Sequence, residues 1–77
     1  MDELRQDDAA TIEINLNGRS QRISAGSSVS DLITSLVLQD RLVVVERNGE
    51  IIPRSEFPSV KVVEGDSLEI VHFVGGG

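Results

Sequence analysis

Residues 11–17, TIEINLN, alternate in character: Ile12, Ile14 and Leu16 fall on one side and Thr11, Glu13 and Asn15 on the other, the period of a strand with one buried face. Asn17-Gly18 follows at once. Both residue types accept the positive φ angles of a two-residue hairpin turn, so residues 19–24 are expected to return as the second strand. Then the period changes. Val29, Leu32, Ile33, Leu36 and Val37 form a stripe at helical spacing, and Ser28 with Asp31 three positions on has the form of a capping box. The pattern predicts a helix of about ten to twelve residues ending near Gln39 or Asp40.

The second half of the chain returns to strands. LVVVERNGEIIP, residues 42–53, reads as a strand, a turn at Asn48-Gly49 and a short strand stopped by Pro53, whose missing N–H suits a sheet edge. A single-turn piece is expected around Ser55, Glu56 and Phe57, then an extended stretch over residues 60–63 and a turn at Glu64-Gly65-Asp66. The last strand, residues 68–73, puts Leu68 and Ile70 in the core and Glu69 outside. It leaves Val71 and Phe73 on the face away from the helix. If that strand enters the middle of the sheet beside and parallel to residues 11–17, one helix covers every buried face. The expected fold is therefore α+β, a β-grasp: a mixed sheet of four to five strands packed on one main helix. A ferredoxin-like arrangement needs a second long helix, which residues 53–59 cannot make.

Length and composition narrow the chemistry. A chain of 77 residues is expected to bury only about 60% of its unfolded surface, so a single core leaves little material for an enclosed catalytic cavity. The absence of cysteine excludes disulfides, thiolate metal sites and iron–sulfur ligation, and one histidine leaves no ordinary metal cluster. Thirteen acidic against seven basic side chains, a net charge of -6, oppose contact with nucleic acid or anionic lipid and favour partners with basic surfaces. No run approaches the roughly 20 apolar residues that span a bilayer, so a cytoplasmic location is the default expectation. The chain divides into an acidic leader (residues 1–10) expected to be flexible, a folded domain (residues 11–74) and a glycine tail (residues 75–77).

The tail is the most distinctive chemical object. Gly75, Gly76 and Gly77 follow the most apolar strand, and a thread without side chains can enter a channel that any Cβ would block. A terminal carboxylate is a poor electrophile at neutral pH, so chemistry on it requires outside activation, most simply by adenylyl transfer from ATP. Val71, Phe73 and Val74 are candidates for an apolar patch where a partner grips the chain before threading it; the alternative is that they pack on Phe57 or a loop as part of the core. Glu50, Glu56, Glu64, Asp66 and Glu69 have two equal readings, a surface that complements a basic partner or an ordinary solvated acidic face. His72 has no cysteine or positioned serine to work with and is expected to be structural. None of the glycines has the setting of a phosphate-binding loop.

The order of elements, the segment VVVERNGEIIPRSEF and above all the ending EGDSLEIVHFVGGG resemble the ThiS family, the ubiquitin-like β-grasp sulfur carriers of thiamin biosynthesis. The resemblance covers residues 11–77. It implies that Gly77 is adenylated by an E1-like adenylyltransferase using Mg-ATP and converted to a thiocarboxylate with sulfur from a cysteine desulfurase or other persulfide source. It also implies that a thiazole synthase then receives the sulfur, with a deoxyxylulose phosphate and a glycine-derived imine, to build the thiazole ring. On this resemblance the chain binds no cofactor itself and is a carried donor rather than a catalyst. Related carriers serving molybdopterin synthesis or tRNA thiolation share the Gly76-Gly77 ending, and a non-covalent β-grasp binding module is the alternative in which the glycines do nothing.

Overall fold

The structure, a computed structural model, describes residues 10–73. Its strands are β1 (Thr11–Leu16), β2 (Arg19–Ser24), β3 (Val43–Arg47), β4 (Glu50–Ile52) and β5 (Ser67–His72); a single helix, α1 (Val29–Ser35), and one 3-10 turn (Arg54–Glu56) complete the described elements. The expected leader, apart from Ala10, and the residues Val74, Gly75, Gly76 and Gly77 lie outside the described residues.

Both Asn-Gly turns form as the sequence implies. Asn17 and Gly18 have φ of 52° and 85°, and Asn48 and Gly49 have φ of 51° and 91°, the pairing that matches the twist of a tight hairpin. β1 pairs antiparallel with β2 from Thr11↔Ser24 to Leu16↔Arg19, and β5 lies between β1, parallel, and β3, antiparallel. The sheet order β2-β1-β5-β3-β4 puts the last strand in the middle and the Pro53-terminated strand at an edge. This is the β-grasp topology. Ile14, Leu16, Val43, Val45, Ile52, Leu68 and Ile70 point from the sheet toward Val29, Leu32 and Ile33 of the helix, with Phe57 and Val62 closing the core.

One expectation is corrected. The helix has seven residues, not ten to twelve, because Val37 turns left-handed with φ of 60°. The Val37 N–H then donates to the Thr34 carbonyl at 2.9 Å and the Leu38 N–H to the Ile33 carbonyl at 3.0 Å, a Schellman closure that satisfies the last orphan carbonyls. Leu36 and Val37 consequently leave the buried stripe and Leu38 folds back onto the core in their place. The extended stretch over residues 60–63 stays outside the five-stranded sheet. It pairs instead with the entry to α1, where Val29 N–H donates to Val60 O and Val62 N–H to Ser27 O, both at 2.9 Å.

The capping box at the start of α1 is reciprocal: Asp31 N–H donates to Ser28 Oγ at 3.0 Å, and Ser28 N–H donates to Asp31 Oδ2 at 2.9 Å. The bond from the Ser28 backbone, then that with its side chain, and more weakly the charge of Lys61, hold the Asp31 carboxyl below its ordinary range despite a small opposing effect of desolvation. The sign follows directly. A depressed folded pKa gives stability that is present above the ordinary carboxylate value and is lost as pH falls through the lower folded value. Thermal melts across the acid range should therefore show Asp31→Ala less stable than the parent at neutral pH, with the gap closing on acidification. A gap independent of pH would mean that the carboxylate charge does not contribute.

Candidate functional site

β5 feeds the tail, so the way it is held decides where the tail emerges. β1 ends at Leu16, opposite Leu68, and the side chain of Asn17 continues the ladder: Ile70 N–H donates to Asn17 Oδ1 at 2.8 Å and Asn17 Nδ2 donates to Ile70 O at 3.2 Å. On the other side Ser67 N–H donates to Asn48 Oδ1 at 2.9 Å, while Asn48 N–H donates to Ser67 O at 2.7 Å. Sequence reasoning assigned both asparagines to turn-making alone. Each is also a side-chain clamp on the strand that carries the tail.

Asp66 requires a second correction. Grouped from sequence with the solvated acidic face, it is only 5% exposed and accepts from Arg47 Nε at 3.0 Å, Val63 N–H at 2.9 Å and Asn48 Nδ2 at 3.3 Å. It locks the turn that launches β5. The available signal was its place directly after Gly65 in a tight reversal, where an Asp side chain commonly bonds nearby backbone. Glu50, Glu56, Glu64 and Glu69 are exposed as expected.

Beyond Ile70 the strand is held by β3. Val44 pairs with Val71, Val43 with His72, and Phe73 N–H donates to Leu42 O at 3.1 Å. Directly opposed residues share a face, so Leu42, Val44, Val71 and Phe73 stand together on the side away from the helix. Val71 and Phe73 are 57% and 55% exposed, and Leu42 and Val44 are exposed beside them. Phe57, the residue that was the alternative packing partner, is buried in the core beneath the helix side of the sheet. Leu42 and Val44 were missed because their membership depends on the β3–β5 register. Val74 and the three tail glycines lie outside the described residues, so the expected patch is seen only through Phe73.

The next register step along the same face is Glu46↔Glu69, two carboxylates directly opposed. The ion pairs among the described residues, Arg22–Glu13 and Arg47–Asp66, involve neither. The apolar patch thus has a negative border, complementary to an apolar surface with basic groups around it. His72 is exposed, and no group of three potential metal ligands occurs among the described residues. No described helix is long and apolar enough to cross a membrane. A separate open groove of about 440 Å³ lies between β2 and α1, lined by Gln21, Ile23, Asp31 and Leu36, and contains no residue of β5.

A central β5 flanked by β1 and β3, with an exposed apolar patch at its outgoing end, defines a β-grasp protein of the ubiquitin-like kind. Comparison with known proteins narrows this. Residues 12–77 match the ThiS family. The chain is 40% identical over 65 residues to the sulfur carrier protein ThiS of Bacillus subtilis, covering 83% of this chain and 98% of that one. It is 44% identical over 66 residues, 86% of its length, to a thiazole synthase of Paramagnetospirillum magneticum, of which it spans only 20%. The crystal structure of a thiamine biosynthesis protein (ThiS) from Geobacter metallireducens superposes with a TM-score of 0.73 at 30% identity, over 86% of this chain and 100% of that one. The chain belongs to the ThiS family, the sulfur carriers of thiamin biosynthesis.

Proposed function

We propose that this chain carries sulfur as a thiocarboxylate on Gly77 and delivers it to a thiazole synthase. The observation that carries the reading is that the family match runs through Gly77, beyond a clamped central strand whose outgoing end carries exposed apolar side chains on one face. In the first step a carboxylate oxygen of Gly77 attacks the α-phosphorus of ATP on an E1-like adenylyltransferase, and pyrophosphate leaves with Mg²⁺. A persulfide sulfur then attacks the acyl carbon and expels AMP. A thiol then attacks the donor-side sulfur of the resulting acyl disulfide, forming a new disulfide with the donor as the thiocarboxylate leaves. The persulfide comes from a cysteine desulfurase or an equivalent source.

The chain's own contribution is delivery. Leu42, Val44, Val71 and Phe73 give the partner an apolar grip, the acidic border orients it, and Gly75 and Gly76 leave the thread narrow enough to enter an active site. ATP and Mg²⁺ are held by the activating partner. The similarity to one part of a thiazole synthase supports that enzyme as the acceptor.

Removing Gly77 tests this reading. Thiazole formation in a mixture of purified partners should fall to background with the shortened chain, while its melting temperature stays within about a degree of the parent because no core residue has changed. Undiminished thiazole formation with the shortened chain would instead support a non-covalent β-grasp binding module.

A further inference from the structure

The corner that ends α1 holds a side chain that the fold does not use. Val37 sits where a Schellman closure favours glycine, with φ of 60°, and a β-branched residue is strained there. It is also 75% exposed, so no burial in the described structure offsets that strain, and Leu36 beside it is exposed as well. Such an arrangement lowers stability without improving the packing of the monomer.

Its position indicates what the side chain meets. β2 ends at Ser24, opposite Thr11 at the start of β1. α1 carries the chain back across the sheet, and β3 begins at Val43, opposite His72. The C-terminal corner of α1 and the outgoing end of β5 therefore lie at the same end of the molecule. A turn closed by Arg41 N–H on Leu38 O at 2.9 Å folds the connection back to Leu42, whose carbonyl holds Phe73. Four residues beyond Phe73 reach on the order of 13 Å when extended. Any protein that takes Gly77 into its active site must press against this end of the fold.

We infer that Val37 is a further contact and specificity residue for the thiazole synthase, whose footprint runs from the open sheet face around the tail exit onto the corner of α1. The inference rests on the carrier reading above. The covalent joining of a similar segment to a synthase in the Paramagnetospirillum protein favours this occupant over the activating enzyme. The partner surface it requires is an apolar depression beside the mouth of the channel that receives the tail.

Stability and binding should move in opposite directions. Val37→Gly and Val37→Asn place residues suited to the left-handed region at this corner, so their melting temperatures should equal or exceed the parent's. Their Kd for the synthase should rise roughly tenfold through loss of one buried aliphatic contact, and Val37→Ile should bind as the parent does. Adenylation of all three variants by the activating enzyme should be unchanged. Unaltered synthase binding by Val37→Gly and Val37→Asn would overturn the inference, as would a defect confined to adenylation. Phe73→Asp, measured in parallel, separates the two levels: weakened binding by Phe73→Asp alone removes only the corner contact, whereas unimpaired binding by every variant removes the docking reading beneath it.

Discussion

Asp66→Ala is expected to shift the urea unfolding midpoint further than any other single substitution considered for this chain, by the equivalent of about 2–4 kcal/mol. The carboxylate is 6% exposed, and its removal strands the guanidinium of Arg47, the N–H of Val63 and the amide of Asn48 together. A domain of this size has about 4–12 kcal/mol in total, so the loss is a large fraction of the whole margin. Arg47→Ala should cost less. The Arg47 side chain is 31% exposed and already partly hydrated, and Asp66 would keep its bonds from Val63 and Asn48. Equal, small effects for both substitutions would return Asp66 to the solvated acidic face.

The second large effect concerns recognition. Joint replacement of Val71 and Phe73 by aspartate should weaken capture by the thiazole synthase by a hundredfold or more, roughly 3 kcal/mol or beyond for two central apolar contacts. Both side chains are exposed on the open face, so the fold should survive with a nearly unchanged midpoint. Lys61→Ala is the matched control, since its ammonium donates to Gly26 O beside the start of α1, far from the tail exit. Titration of labelled carrier into the synthase distinguishes the cases. Full affinity in the double variant would mean that the synthase holds the carrier by the tail alone.

The parts of this fold legible in the sequence are those determined by near neighbours. Asn17-Gly18 and Asn48-Gly49 announce their hairpins because positive φ is a local demand, and Ser28 announces the helix because its partner Asp31 lies three residues away. Alternation assigned Leu68 and Ile70 to the core and Val71 and Phe73 to the open face, as found. What failed to show depends on long-range pairing. Nothing local says that Asp66 meets Arg47 nineteen residues earlier, or that Leu42 and Val44 join Phe73 and Val71 through the β3–β5 register. The end of α1 was missed for a related reason. Glycine usually marks that closure, and here a valine takes the conformation, so the apolar stripe continues past the true stop.

The two side-chain clamps connect fold to function. Asn48 fastens β5 at its first residue and Asn17 fastens the opposite side at Ile70, which leaves the outgoing end at Phe73 backed by β3 and open on the face away from the helix. A rigid base and a narrow thread are the properties expected of a protein whose reactive group must enter another protein's active site.

The most direct measurement is the intact mass of the full chain after incubation with Mg-ATP, an E1-like adenylyltransferase and a persulfide donor, beside the chain lacking Gly77. The account predicts that only the full chain gains the difference between one sulfur and one oxygen, and that fragmentation places the gain on Gly77. An unchanged mass, under conditions in which a known carrier is converted, would contradict it.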